Sequence, residues 1–133
     1  MERALKKIML VEDDTDIQFI TRLSLETVGD YEVRVCGSGA EALDSAGAFA
    51  PDLILLDVMM AGMDGLATMH ALRKLPGMAV TPVVFFTANT QDQLRQDLIR
   101  RGALDVIVKP IKPNALVEQI RAIWQRFGAG ASL

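Results

Sequence analysis

Pro51-Asp52-Leu53-Ile54-Leu55-Leu56-Asp57 is the stretch whose reading decides the fold. Its run of large aliphatic residues has strand length and no polar face, which suits a central strand covered on both sides, as parallel sheets require. Two other blocks read the same way, Ile8-Met9-Leu10-Val11 and Val83-Val84-Phe85-Phe86. Segment 31–36 differs: Tyr31, Val33 and Val35 alternate with Glu32 and Arg34, the pattern of a half-buried strand at a sheet edge. A fifth strand is expected over 104–108, ending at Lys109. Helical patterns fill the intervals, at about 14–28, 40–46, 66–75, 90–101 and 113–127. In the first, Ile17, Ile20 and Leu23 form the apolar side; in the last, Leu116, Ile120, Ile123, Trp124 and Phe127 share one face. Ser38 and Asp14 or Thr15 are expected N-caps, Pro76-Gly77 stops the third helix, and Gly102 the fourth. Strict βα alternation predicts an α/β fold, a parallel sheet with helices on both faces. With the alternating strand at an edge, the order 2-1-3-4-5 fits best.

Composition narrows the function. The chain has 133 residues, 50% hydrophobic and 23% charged, enough for one domain with a buried core. No apolar run approaches the ~18 residues of a membrane span, and residues 1–7 are too polar, and 8–11 too short, for a secretory signal. One cysteine, Cys36, excludes an internal disulfide and a cysteine metal cluster. A net charge of −3 lacks the basic footprint of a nucleic-acid binder, so no direct nucleic-acid contact is expected. A soluble, cytoplasmic domain over 1–128 is expected, with 129–133 a flexible tail or the start of a linker.

In an open parallel sheet the site lies beyond the carboxyl ends of the strands. Glu12, Asp13 and Asp14 follow strand 1, Asp57 ends strand 3, Thr87 ends strand 4 and Lys109 ends strand 5. Carboxylates crowded there repel one another unless a cation joins them. With no histidine or cysteine in reach, oxygen ligands favour Mg²⁺ or a similar ion, which readily accepts phosphate oxygens. A carboxylate can attack phosphorus to give an acyl phosphate, while a hydroxyl and an ammonium hold the remaining oxygens. Singly each residue has an ordinary explanation: a helix cap, a solvated acid, a surface lysine, a strand-end threonine. Four strand ends each supplying a fitting group favour a site.

From Lys7 to Phe127 the chain resembles the receiver domains of two-component response regulators. The residues that carry the resemblance are 8–14 (Ile-Met-Leu-Val-Glu-Asp-Asp), 51–57, Met60, Met63-Asp64-Gly65, Thr87-Ala88, Gly102-Ala103 and Lys109-Pro110. The resemblance implies the flavodoxin-like (βα)5 fold and makes Asp57 the phosphorylated residue. It implies that Asp13 is a direct ligand of Mg²⁺ or Mn²⁺, that Glu12 acts through water, and that the Met59 backbone carbonyl is a further ligand. Thr87 and Lys109 would contact the phosphoryl oxygens, and the Lys109-Pro110 bond would be cis. The implied donor is a histidine kinase or histidine phosphotransfer protein. The implied output is a downstream protein or fused output domain, met through helix 4, strand 5 and helix 5.

Three positions depart from the family pattern. Ala61 stands where proline is usual, which predicts a looser loop after Asp57. Val106 stands where an aromatic is usual and is too small and stiff to swing between surface and core. Ile111 stands where Phe is frequent. Met59 and Asn89, each two residues beyond a site residue, are expected to flank the attacking water and modulate the phosphoryl lifetime. His70, Cys36, Trp124 and the methionines read as surface or packing residues, and Arg95, Arg100 and Arg101 as a solvated face.

Other functions fit less well. An aspartate-nucleophile phosphatase of the haloacid-dehalogenase type needs an acid two residues after the nucleophile, and that position is Met59. A nucleotide binder would want a glycine- and hydroxyl-rich loop after strand 1 rather than Glu12-Asp13-Asp14. A degenerate receiver that only binds proteins is the alternative. The expected chemistry is thus not turnover of a separate substrate: the domain would catalyse its own phosphorylation and dephosphorylation only.

Overall fold

The strands form where the apolar runs lie: β1 (Lys7–Val11), β2 (Glu32–Cys36), β3 (Leu53–Asp57), β4 (Val83–Thr87) and β5 (Asp105–Val108). The computed structural model describes residues 4–110 and 112–131. All neighbouring strands are parallel, in the order β2-β1-β3-β4-β5, as expected. Asp57 and Thr87 are the last residues of β3 and β4, so both side groups emerge at the carboxyl edge.

Five helices alternate with the strands: α1 (Thr15–Thr27), α2 (Gly39–Phe49), α3 (Gly65–Arg73), α4 (Asp92–Arg100) and α5 (Pro113–Ala131). Because successive side chains on a strand point to opposite faces, the sheet supplies two cores. Met9, Val11, Ile54, Leu56, Val83 and Phe85 pack with residues of α2, α3 and α4, including Ala42, Met69 and Leu98. On the other face Ile8, Leu10, Leu55, Val84 and Ile107 pack with Leu25 of α1 and Leu116, Ile120 and Ile123 of α5.

Several boundaries differ from the sequence expectation. Helix α2 runs on through Gly47 to Phe49, because nothing interrupts it before Ala50 takes the left-handed cap at φ 53°. Helix α4 begins two residues later than expected, after Gln91, which makes no side-chain cap bond. Helix α5 continues to Ala131; residues 132 and 133 lie outside the described residues. The largest correction concerns α1. Its buried residues are Thr21, Ser24 and Leu25, while Ile20 and Leu23 are 57% and 49% exposed, with Phe19 beside them. The small residues Thr21 and Ser24 face inward, and Ser24 keeps its hydroxyl satisfied on the Ile20 carbonyl at 2.8 Å.

Caps and close approaches then fix the loops around the carboxyl edge. Asp14 caps α1 through Asp16 and Ile17, Ser38 caps α2 through Glu41, and Asp64 caps α3 through Ala67. Gly65 starts α3 hard against β3: a Cβ there would sit 2.2 Å from the Asp57 carbonyl oxygen and 3.0 Å from Phe85. Only glycine permits that approach, and it sets α3 directly behind Asp57.

Candidate functional site

The carboxyl ends of β1, β3, β4 and β5 converge on one acidic crevice. Oxygen atoms of Glu12, Asp13 and Asp57 lie within 4.8 Å of one another. Glu12 is buried and Asp57 is 7% exposed, whereas Asp13 faces solvent. Lys109 reaches between the two buried acids: its Nζ is 2.5 Å from Glu12 Oε1 and 3.4 Å from Asp57 Oδ2. The Lys109 stem is positioned by its own N–H donating to the Thr87 carbonyl at 2.8 Å, and its ammonium sits 5.1 Å from the Phe86 ring centroid. The Lys109-Pro110 bond is cis. Ile111 lies outside the described residues.

Burial pushes the Glu12 carboxyl up to about 7, with its hydrogen bond to Asp57 acting in the same direction and Lys109 opposing both. Without a further cation this crevice therefore tends to hold a proton. Its donors are all carboxylate oxygens, hard ligands that fit a hard divalent cation and offer nothing to a thiophilic one.

Backbone N–H groups complete the walls. Asp57 Oδ1 accepts the Met59 N–H at 3.3 Å, and the Met59 side chain itself is 76% exposed. Asp13 Oδ2 accepts the Ala61 N–H at 3.1 Å, joining the β1–α1 loop to the β3–α3 loop. Proline has no N–H, so alanine at this position supplies a tether that proline could not make.

Thr87 is 3% exposed, and its Oγ1 accepts the Asn89 N–H at 3.1 Å. Asn89 does not stand free beside the site: its Oδ1 accepts the Gln91 N–H at 2.9 Å, at the entrance of α4. Val106 is buried and lines a cleft of about 90 Å³ with Thr87, Asn89, Leu94, Arg95 and Val108. His70 is exposed on α3, Cys36 is buried, and Trp124 is half-buried against Phe127 at 5.5 Å, all as expected of surface and packing residues. Arg95, Arg100 and Arg101 are all exposed, as expected of a solvated face, and two of them also make ion pairs. Arg95 is paired with buried Asp105 at 2.8 Å, and Arg100 with Asp97. The signal for the first pair was an acid opening an otherwise apolar strand.

The fold and the crevice together define a flavodoxin-like α/β domain with an acidic site at the carboxyl edge of its sheet. The chain belongs to the response regulator receiver domain family, whose pattern matches residues 8–121, and so to two-component signalling. It is 34% identical over 126 residues to the DNA-binding response regulator MtrA of Mycobacterium tuberculosis, covering 95% of this chain and 54% of that protein. It is 36% identical over 120 residues to the transcriptional activator protein PfeR of Pseudomonas aeruginosa, covering 90% and 38%. The chain thus spans about half the length, or less, of these relatives. Among solved structures, the chemotaxis protein CheY4 of Vibrio cholerae superimposes with a TM-score of 0.83 at 30% identity, over 90% of this chain and 99% of that one. The receiver domain of the Francisella response regulator 1452 gives 0.76 at 27% identity, over 92% and 98%. No helix among the described residues is long and apolar enough to cross a membrane.

Proposed function

We propose that this domain is a phosphorylation-controlled switch whose acceptor is Asp57, loaded from a phosphohistidine on a histidine kinase or histidine phosphotransfer protein. The observation that carries this reading is the crevice itself: a nucleophilic carboxylate, two further acids and a part-buried ammonium at neighbouring strand ends, with a buried hydroxyl ending the adjacent strand. An Asp57 oxygen attacks phosphorus, the P–N bond breaks, and the imidazole leaves with its electron pair. Glu12, Asp13, Asp57 and the Met59 carbonyl would hold Mg²⁺ or Mn²⁺, which supplies charge neutralisation for the approaching phosphoryl oxygens. Lys109 gives those oxygens a fixed positive partner, and the Thr87 hydroxyl a donor. The chain acts on itself rather than on a turnover substrate, since Met59 occupies the place where a general acid-base would be needed.

Output is proposed to leave through α4, β5 and α5, roughly 90–127, towards a downstream protein or an output segment of a longer chain. DNA binding, as named for MtrA, would belong to such a segment and not to this domain. A cytoplasmic location is part of the same reading. Because the Thr87 hydroxyl already holds the Asn89 N–H, drawing it towards a phosphoryl group moves backbone 88–90 with it. Val106 offers no aromatic ring to rotate.

The direct test is incubation with acetyl phosphate followed by intact-mass measurement. One added phosphoryl group is expected with Mg²⁺ and none with EDTA; labelling that ignores EDTA would contradict the metal role.

Two smaller effects follow from the loops. Exposed, apolar Met59 should hinder the attacking water, so Met59→Asn is expected to shorten the phosphoryl lifetime, measured by loss of added mass; a lifetime equal or longer would count against it. Ala61→Pro removes the N–H bound to Asp13 Oδ2 and frees that oxygen. One such bond is worth about 1 kcal/mol net, so Mn²⁺ should bind about fivefold tighter by calorimetry. Weaker binding would mean the tether positions Asp13 for the metal instead.

A further inference from the structure

Asp105 opens β5 at the edge of the sheet, yet it is only 5% exposed. Its Oδ1 accepts from Arg95 of α4 at 2.8 Å and from the Val106 N–H at 2.7 Å. Its Oδ2 accepts from Arg126 of α5 at 2.7 Å. Helices α4 and α5 cover opposite faces of the sheet, so one buried carboxylate ties them together around the β5 edge. Helix α4 is otherwise held by buried Leu98 and partly buried Leu94, its N-cap lacks a side-chain bond, and a cleft of about 90 Å³ lies between its N-terminal part and β5.

We infer that Asp105 is a positioning residue for α4, and that Arg95, Asp105 and Arg126 form a latch whose Arg95 arm lets go when the site is charged. The two arms are unequal. When Arg95 leaves, Oδ1 keeps the Val106 N–H and the carboxylate keeps Arg126, so no buried acceptor is orphaned. Loss of Arg126 strips Oδ2 of the donor described for it. Arg95 is therefore the detachable arm and Arg126 the anchor. The same cleft carries the link to the site: Thr87 and Arg95 both line it, together with Asn89 and Gln91, whose N–H groups donate to Thr87 Oγ1 and Asn89 Oδ1 in turn. A pull on the Thr87 hydroxyl reaches the first turn of α4, which carries Arg95.

The trigger rests on the proposed role of Asp57; the latch itself exists in the unmodified chain, and the test separates them. Amide hydrogen exchange is measured on wild type, Arg95→Gln and Arg126→Gln, each with EDTA and with Mg²⁺ plus beryllofluoride as the phosphoryl mimic. Without the mimic, Arg95→Gln should exchange its α4 amides about tenfold faster, the effect of losing one charge-assisted bond, with β1, β3 and α5 unchanged. Arg126→Gln should leave α4 protected. The mimic should loosen α4 in wild type and add little in Arg95→Gln. Exchange of α4 within about twofold of wild type in Arg95→Gln overturns the latch, as does equal loosening by Arg126→Gln. A full response to the mimic in Arg95→Gln overturns its part in the switch. Dependence on protein concentration would assign these arginines to contacts between copies and also overturn it. If the mimic leaves residues 57–61 of wild type unchanged, the trigger is refuted, and Arg95→Gln alone decides the latch.

Discussion

Asp57→Asn is expected to abolish phosphoryl labelling by acetyl phosphate and by any cognate phosphohistidine donor, while the fold survives. The substitution keeps the shape of the side chain and its Oδ1 can still accept the Met59 N–H. What it removes is the nucleophile: a neutral amide has no anionic oxygen to attack phosphorus. The neighbouring acids cannot take over. Glu12 is buried and engaged with Lys109, and Asp13 is tethered to Ala61. Gel shift or intact mass would read the loss, and near-wild-type labelling of the variant would show that the acceptor lies elsewhere.

Lys109→Met is expected to have the largest effect on stability, with a pH dependence that identifies its cause. Lys109 is the cation within reach of both buried acids, its side chain only 12% exposed. Removing one partner from a buried ionic cluster typically costs about 3–5 kcal/mol, because the remaining charge is stranded. In wild type, Glu12 in the folded chain titrates near 7 against an ordinary value of 4.5. A carboxyl with a raised folded value holds a proton that the unfolded chain has released, so metal-free stability declines as pH rises from about 4.5 to about 7. That decline amounts to at most about 3 kcal/mol. Lys109 acts to lower the Glu12 value, so its removal raises the value further and extends the decline to higher pH. Urea unfolding in EDTA should therefore find Lys109→Met much weaker than wild type at pH 8 and close to it at pH 5. Equal losses at both values would mean that Lys109 contributes by packing over Phe86 and not by charge.

What the sequence disclosed and what it hid have separate physical origins. Strands β1, β3 and β4 are buried on both faces, so they read as unbroken apolar runs, and the residues ending them were legible as site candidates. The crevice brings together Glu12, Asp13, Asp57 and Lys109, with Thr87 ending the adjacent strand, because parallel strands all finish on one edge. The inward face of α1 was not legible, since it is built from Thr21 and Ser24 while Phe19, Ile20 and Leu23 remain exposed; hydrophobicity alone points to the wrong side. Helix ends without a side-chain signal, as at Gln91, were misplaced by two residues. The Ala61 tether was missed because it is a backbone donor, and its significance lies in what proline would lack. The Asp105 latch depends on the register of α4 against β5, which spacing along the chain does not reveal.

The central claim, that Asp57 carries the phosphoryl group as an acyl phosphate, is tested most directly by reductive trapping. An acyl phosphate is reduced by borohydride to the alcohol, whereas a free carboxylate is not, so the phosphorylated aspartate becomes homoserine. After labelling with acetyl phosphate and Mg²⁺, peptide mass spectrometry should find homoserine at position 57 and unreduced aspartate or glutamate at 12, 13 and 64. Homoserine at another position, or none at 57 in protein that carries the added mass, would contradict the account.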